Sequence, residues 1–439
     1  MKDKNRINGL VVFGILIGII GMMVFLVSGT KKEMIEIIDS SIKLGENDEV
    51  IVSYIGPKGA YALVSDNQNV SINSGGWKIT EDNSYAFAPS KDIKHYYLKY
   101  KNKTYYVGTN KDLGYVEIKK GTYDKYLAVG DDRKIDYEIV EHGYVEDTNI
   151  SWHSDDIKII SVKDGNVHGL FKGEASVKLT VNDKTETFDF VVSDLIEKMP
   201  DEFNVKKELL PCGRYTKEEN DLLDEILKSR IENAGYKTRG GVIASSRFLL
   251  LEFPYRLTYF YEYGRQAEKV DGEGRYYKQG LYLDESRFSN LIGSRSGPKT
   301  WGCDMYSGNI KTISPNGLDC SGFVSWILYN AGFDCGDIGA GDTPAYDLCN
   351  TGKMVKSSKE TIKQMKVGDL LHSNYMGGHI GIVVGTKDDY IYVGQATPNK
   401  NWGVTITKYK EKEFLNEWSD IVLMDSYYKE EGNYNNYWN

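Results

Sequence analysis

Residues 316–326 read NGLDCSGFVSW. One thiol stands between an aspartate and a Ser-Gly pair, directly before a run whose apolar residues recur at helical spacing. Asp319 is a favourable N-cap, Phe323, Trp326 and Ile327 fall on neighbouring helical faces, and Gly332 supplies a stop. The pattern predicts Cys320 at a helix N-terminus. Unpaired backbone N–H groups and the positive end of the helix dipole favour thiolate over thiol there, and can bring a cysteine pKa from about 8.5 into the range of roughly 3.5 to 7.5. The same N–H groups can stabilise an oxyanion formed when the sulfur attacks a carbonyl. Most cysteines are inert small hydrophobes, so the assignment depends on a partner base.

The chain holds only six histidines. After MKVGDLLHS (365–373), which reads as a strand, comes GGHIGIVVGTKDDYIYVGQAT (377–397), two β-rich runs around a polar turn and hence a hairpin. A turn centred on Lys387 sets His379 directly opposite Gln395 on one face, while Ile380, Ile382 and Val384 point the other way into a core. Gln395 can then hold the imidazole tautomer that faces sulfur. A one-residue slip would undo this pairing. His372 is the rival base, although its place at the end of GDLLHS suits a packed strand residue. Asn399 or Asp389 takes the role of Gln395 if the register differs.

At 439 residues the chain exceeds what one core usually organises. A formal charge of -9 with lysines and arginines interspersed among acids excludes a protein that tracks a nucleic-acid backbone. The 33 tyrosines against 9 prolines favour strand-rich modules. Five cysteines without metal-ligand spacing argue against structural zinc, and the odd count keeps at least one thiol out of any bridge within the chain. Cys335 and Cys349 are close enough in sequence to close a short loop.

Leu10 to Gly29 is uncharged and long enough to cross a bilayer as a helix. Lysines flank it on both sides, with a mild preference for a cytoplasmic N-terminus, and VSGT is a poor cleavage site. A membrane anchor with the bulk of the chain outside is the expectation, with a cleaved signal peptide as its alternative. The Lys, Asn, Ile and Tyr bias suggests an AT-rich, Gram-positive source.

Short alternating runs from Glu33 to Lys119 read as an all-β module. The following segment keeps the period-two pattern with regular turn signals, as in a small β-sandwich. Its Trp152, Ser154 and IISVKDGNVHGLFKGEASVKLTV (159–181) resemble the bacterial Ig-like domain of group 2, a family of extracellular spacer and adhesion modules. His153 and His168 within it are expected to be solvated and carry no chemistry. Beyond a charged linker, Thr216 and Glu219 form a capping box for a helix that Gly235 ends. A second helix is expected in GVIASSRFLLLEF, stopped by Pro254. The glycine-rich DGEGRYYKQG lacks the features of a phosphate or calcium loop and reads as a surface loop. The tail KEEGNYNNYWN is expected to fray.

LDCSGFVSW, KVGDLL, GGHIGIVVG and YVGQAT followed by WGVTITKY resemble the NlpC/p60 family of bacterial cell-wall cysteine peptidases from Trp301 onward. The resemblance implies a papain-like α+β fold that hydrolyses peptide bonds in peptidoglycan stem peptides without metal or cofactor. It makes Cys320 the nucleophile, His379 the base and Gln395 the third polar member, with Asp319, Ser321 and Trp301 on the substrate side. The family's upstream Tyr-x-x-Gly-Gly is altered here: KTWGC puts Lys299 at the tyrosine and Cys303 at the last glycine. Cys303 either packs in the core or approaches Cys320 as a redox brake. The helical segment Thr216 to Phe253 lies outside the minimal family core and is expected as an appended subdomain.

The expected architecture is therefore multidomain. It comprises a cytoplasmic tip and transmembrane anchor (1–30), an all-β module (31–119), a bacterial Ig-like group 2 domain (120–195), a linker (196–215), an α+β papain-like NlpC/p60 domain with a helical extension (216–428) and a flexible tail (429–439). The expected function is a membrane-anchored extracellular peptidoglycan endopeptidase whose partners are stem peptides, the membrane and wall or surface proteins met through the β modules. Two alternatives of other classes are a wall-binding adhesin with an inactive peptidase fold and a thiol amidase or acyl transferase.

Overall fold

The computed structural model describes residues 39–56, 61–64, 77–79, 84–87, 95–109, 113–206, 208–260, 279–284, 300–307, 310–335, 339–340, 347–374, 378–398 and 403–438. The apolar stretch Leu10–Gly29, Lys299, Asn399 and most of the glycine-rich segment lie outside them. Among the described residues no helix is long and apolar enough to cross a membrane.

The chain divides into two compact units. The first, built from residues up to Glu117 together with 139–149, is all-β. It holds a four-stranded sheet in the order Asp39–Leu44, Val50–Ile55, Ser84–Phe87, Trp77–Ile79, and a three-stranded sheet of Tyr61–Val64, His95–Tyr100 and Lys103–Thr109. Val50, Val52 and Tyr54 from one sheet and Tyr96 and Leu98 from the other form a single core, so the alternating sequence has folded with one face of each sheet inward.

The second unit contains residues 118–138 and everything from Ile150 onward. Its first part is a seven-stranded sandwich. One sheet runs Ile150–Ser154, Gly173–Val181, Lys184–Ser193, Tyr126–Ala128, and the other Asp132–Lys134, Asn166–Gly169, Ile160–Lys163. Val177, Leu179, Val181, Phe188 and Phe190 are buried, and Trp152 lies with its ring 6.1 Å from that of Phe188. His153 is exposed, and His168 makes a surface bond to Asp132.

Helix α1 (Lys217–Ala234) starts at the expected capping box, in which the Thr216 hydroxyl accepts from the Glu219 amide and the Glu219 carboxylate accepts from the Thr216 amide. Helix α2 (Arg239–Arg247) begins two residues earlier than its apolar run suggested, because Thr238 caps it. It passes into a five-residue π turn, Phe248–Glu252, that carries Glu252 to Arg230 of α1. Both helices contribute to one large core with the rest of the C-terminal domain, so the helical extension is integral to it.

Tyr126, Ala128 and Ile196 belong to that same core, which joins the sandwich to the C-terminal domain. Beside them the buried Arg230 guanidinium bonds Asp124 of the sandwich, the Tyr126 carbonyl at 2.8 Å and Glu252 at 2.9 Å. Burial opposes the charge, but the two carboxylates overcome it and hold the guanidinium above its ordinary range.

The tail is a correction to the expectation of fraying. The carbonyls of Glu430 and Glu431 accept from the Arg239 and Gly240 amides, satisfying two otherwise orphaned donors at the start of α2. The Asn436 carbonyl accepts from Thr386, Arg247 reaches Asn435, and Trp438 is buried against Tyr392. Three aromatic residues, Tyr434, Tyr437 and Trp438, make the segment sticky despite its lack of periodicity.

The C-terminal domain is built on a six-stranded antiparallel sheet. In chain order we label its strands β1 (Lys353–Lys356), β2 (Leu370–Ser373), β3 (His379–Lys387), β4 (Tyr390–Thr397), β5 (Gly403–Lys410) and β6 (Asp420–Leu423), arranged β1-β6-β2-β3-β4-β5. Helix α3 (Cys320–Asn330) packs on β3 and β4. Ile380, Ile382 and Val384 enter the core with Phe323, Val324 and Trp326 of α3. A second core with Val383, Val393, Tyr409, Phe414, Trp418 and Ile421 covers the other face, together with helix α4 (Glu411–Glu417).

Candidate active site

Cys320 is the first residue of α3, as its sequence surroundings predict. The Asp319 carboxylate caps the helix, accepting from the Gly322 amide at 2.6 Å and from the Ser321 hydroxyl at 3.1 Å. The preceding loop is pinned from below. Leu318 donates to the Thr258 carbonyl at 3.1 Å, and Gly317 passes so close to that carbonyl that a Cβ would stand 1.9 Å from it. Only glycine fits there. Asn316, fully buried, pairs its amide with the Cys303 carbonyl.

Cys303 is bonded to Cys212, 91 residues earlier in the chain. Of the two readings of Cys303, packing in the core and a redox brake on Cys320, the disulfide excludes the brake: the buried Cys303 anchors the loop that leads into α3 to the segment before α1. Cys320, Cys335 and Cys349 stay outside any disulfide, so the loop that Cys335 and Cys349 were near enough to close is not formed. Burial, followed by the neighbouring Asp347, pushes the Cys349 thiol well above its ordinary range.

His379 opens β3 and is half-buried. Its Nε2 lies 2.7 Å from Gln395 Oε1. The Gln395 amide nitrogen donates to Thr407 Oγ1 at 2.8 Å and to the Tyr409 hydroxyl at 3.3 Å, so its oxygen is the atom turned to the imidazole. That network puts the ring proton on Nε2 and the basic lone pair on Nδ1. Trp418 stacks on the imidazole, with centroids 5.4 Å apart and planes at 23°.

The hairpin joins these residues by a route other than the direct pairing expected. Its turn is Asp388–Asp389, closing on the pair Lys387–Tyr390, and Gly385 faces Tyr392 while Val383 faces Val393. Val384 is therefore an inserted bulge residue. Without it, the register of the turn would carry Gln395 opposite Ile382, on the face away from His379. The bulge restores the parity: Ile382 pairs Gly394, and His379 and Gln395 meet diagonally on one face.

The other expected positions separate from this cluster. His372 Nδ1 lies 3.3 Å from the buried Asp420 carboxylate, and strand alternation sets it on the opposite face from His379. Asp389 sits in the turn, at the far end of β3 from His379. Trp301, assigned to the substrate side, is 1% exposed and packs against Tyr282 and Trp326. Asp319 and Ser321, also assigned there, are buried in the cap of α3. All three build the platform under the thiol. Thr407 and Tyr409 were legible in principle from the alternation of WGVTITKY, whereas Trp418 reaches the imidazole from a distant element and leaves no local signature.

Among the described residues no group of three or more His, Cys, Asp or Glu side chains is arranged to hold a metal.

The model of the NlpC/P60 family matches residues 301–427, and that match supports a peptidase domain at the C-terminal end. Comparison with curated proteins returned no significant match. Solved structures similar to the chain include Drosophila OTK extracellular domains 3–5, 9% identical over 36% of this chain and 61% of that one, with a TM-score of 0.24. The insect immune protein hemolin is 14% identical over 37% of this chain and 47% of its own, TM-score 0.23. A C-terminal fragment of intimin in complex with the intimin-binding domain of its translocated receptor is 12% identical over 46% and 79%, TM-score 0.20. The chain thus spans about half to two thirds of the first two relatives.

Proposed function

We propose that the C-terminal domain is a cell-wall cysteine peptidase in which Cys320 is the nucleophile, His379 the general base and Gln395 the residue that orients it, acting outside a membrane to which Leu10–Gly29 tethers the chain. The 2.7 Å bond between His379 Nε2 and Gln395 carries this reading, because it dedicates Nδ1 to proton transfer. The family match over residues 301–427 supports peptidoglycan stem peptides as the substrate class.

In the proposed reaction the Cys320 proton passes to His379 Nδ1, and the thiolate adds to a stem-peptide carbonyl. The oxyanion forms beside the first N–H groups of α3. Collapse breaks the C–N bond as His379 returns the proton to the leaving amine. Water, deprotonated by His379, then hydrolyses the thioester and restores the thiol.

The test is incubation of the chain from residue 31 onward with muropeptides, followed by mass spectrometry. Fragments that gain the elements of water in the wild type, and none with Cys320→Ala, support hydrolysis. No cleavage by the wild type, or equal cleavage by the variant, overturns it. Joined fragments identify an acyl transferase, and retention of intact muropeptides identifies a wall-binding scaffold.

A further inference from the structure

We propose that Trp418 is a positioning residue for His379, its indole forming a floor that holds the imidazole in plane with Gln395 and favours the imidazolium formed during proton transfer. The inference rests on the reading of His379 as the base and adds a residue that the nucleophile, base and orienter do not include.

Three observations converge on the indole. Trp418 is fully buried in the second core and its backbone N–H is held by the Phe414 carbonyl at 2.9 Å, so the ring is fixed from behind while its face meets the imidazole. Gly381, two residues after His379 on β3, is cut back to admit it: a Cβ there would stand 2.8 Å from Trp418 Cη2. Finally, Trp418 Nε1 has no acceptor among the described residues. A buried N–H without a partner is costly, and phenylalanine would fill apolar space without that cost. The indole is also the aromatic face that attracts a cation most strongly, and a centroid separation of 5.4 Å is within the range of that attraction.

The other groups around the ring do not duplicate this role. Gln395 engages the edge at Nε2, with Tyr409 of β5 behind it. Ser373 of β2 pairs with His379 across the ladder, and Cys320 belongs to α3, which packs on β3. Glu417 precedes Trp418, and the His372–Asp420 pair occupies the opposite face of the sheet. A carboxylate or amide at the ring edge sets a tautomer. Among the described residues the indole is the aromatic ring that stacks on its face.

The experiment follows the His379 imidazole by NMR titration in the chain from residue 31 onward, its signal assigned by its loss in His379→Gln, alongside the pH profile of kcat/KM on muropeptides. Trp418→Leu is expected to lower the imidazole titration by roughly half to one unit, and to shift the acidic limb of kcat/KM equally. Trp418→Phe should give a smaller shift in the same direction. Gly381→Ala, which displaces the indole without touching it chemically, should move the titration as Trp418→Leu does. Folded variants whose His379 titration matches wild type overturn the proposal. Should Trp418→Leu not fold, Trp418→Phe and Gly381→Ala decide it by the same criterion. A shifted titration in a chain that cleaves nothing supports the positioning role and overturns the hydrolase reading, so the two fail separately.

Discussion

His379 and Gln395 meet through a single hydrogen bond of 2.7 Å between residues that do not face each other across the hairpin. The contact is diagonal, made possible by the bulge at Val384 and locked by the two acceptors, Thr407 and Tyr409, that hold the Gln395 amide nitrogen. Gln395→Leu removes the group that specifies the tautomer. It should lower kcat by about 10²-fold with little change in KM. Thr407→Val should cost much less, because Tyr409 still receives the amide. Steady-state kinetics on a muropeptide substrate separates the two, and equal losses would place the orienting information elsewhere.

The disulfide makes a prediction about thiol stoichiometry. Denatured but unreduced protein should titrate three thiols per chain, those of Cys320, Cys335 and Cys349. In the native state Cys349 should react last, since burial raises its thiol and shields it. Replacing Cys212 and Cys303 together with serine releases a 91-residue separation and should lower stability by about 4.5 kcal/mol in the chain-entropy account. Labelling with mass-spectrometric peptide mapping and denaturant titration measure both.

In the first unit His142 is bonded to Asp48 at 2.8 Å and to Glu117 at 3.1 Å, and its ring stacks on Tyr115. The hydrogen bonds to Asp48 and then Glu117 raise its pKa above the ordinary 6.5. The folded unit therefore binds this proton more tightly than the unfolded chain. The stabilisation is fully present below about 6.5, while the carboxylates remain ionised, and is lost as pH rises through the elevated folded value. Thermal melts of the wild type should fall in midpoint over that window, and His142→Gln should flatten the dependence. An unchanged slope in the variant would assign it to other groups.

The buried Asp124–Arg230–Glu252 group joins the sandwich to α1 and the π turn. Asp124→Ala strips one of the two carboxylates from a buried guanidinium and should destabilise the second unit by roughly 3–5 kcal/mol. Because the sandwich and the C-terminal domain share one core, both should unfold in the same transition in calorimetry. Two separated transitions would show that the sandwich is an independent module.

The Cys320 end of the candidate site was legible locally. Asp319, Cys320 and the apolar spacing of the following residues state a capped helix, and capping and periodicity act within a few residues of each other. The same holds for the Thr216 capping box and for the alternating strands of both β modules. The hairpin pattern identified His379 and Gln395 but misplaced the turn, because two adjacent aspartates and a bulge residue look no different from continuous strand in a list of apolar and polar positions.

What the sequence by itself determined is the set of local elements and the candidates for the chemistry-bearing residues, since hydrogen-bonded caps, side-chain period and turn residues are short-range properties. Tertiary structure alone decided the rest: the Cys212–Cys303 bridge, the burial of Trp301, the docking of the tail and the indole of Trp418 against His379. Each of these joins segments far apart in the chain. Their energies depend on which surfaces the completed fold excludes from water, a quantity no single segment carries.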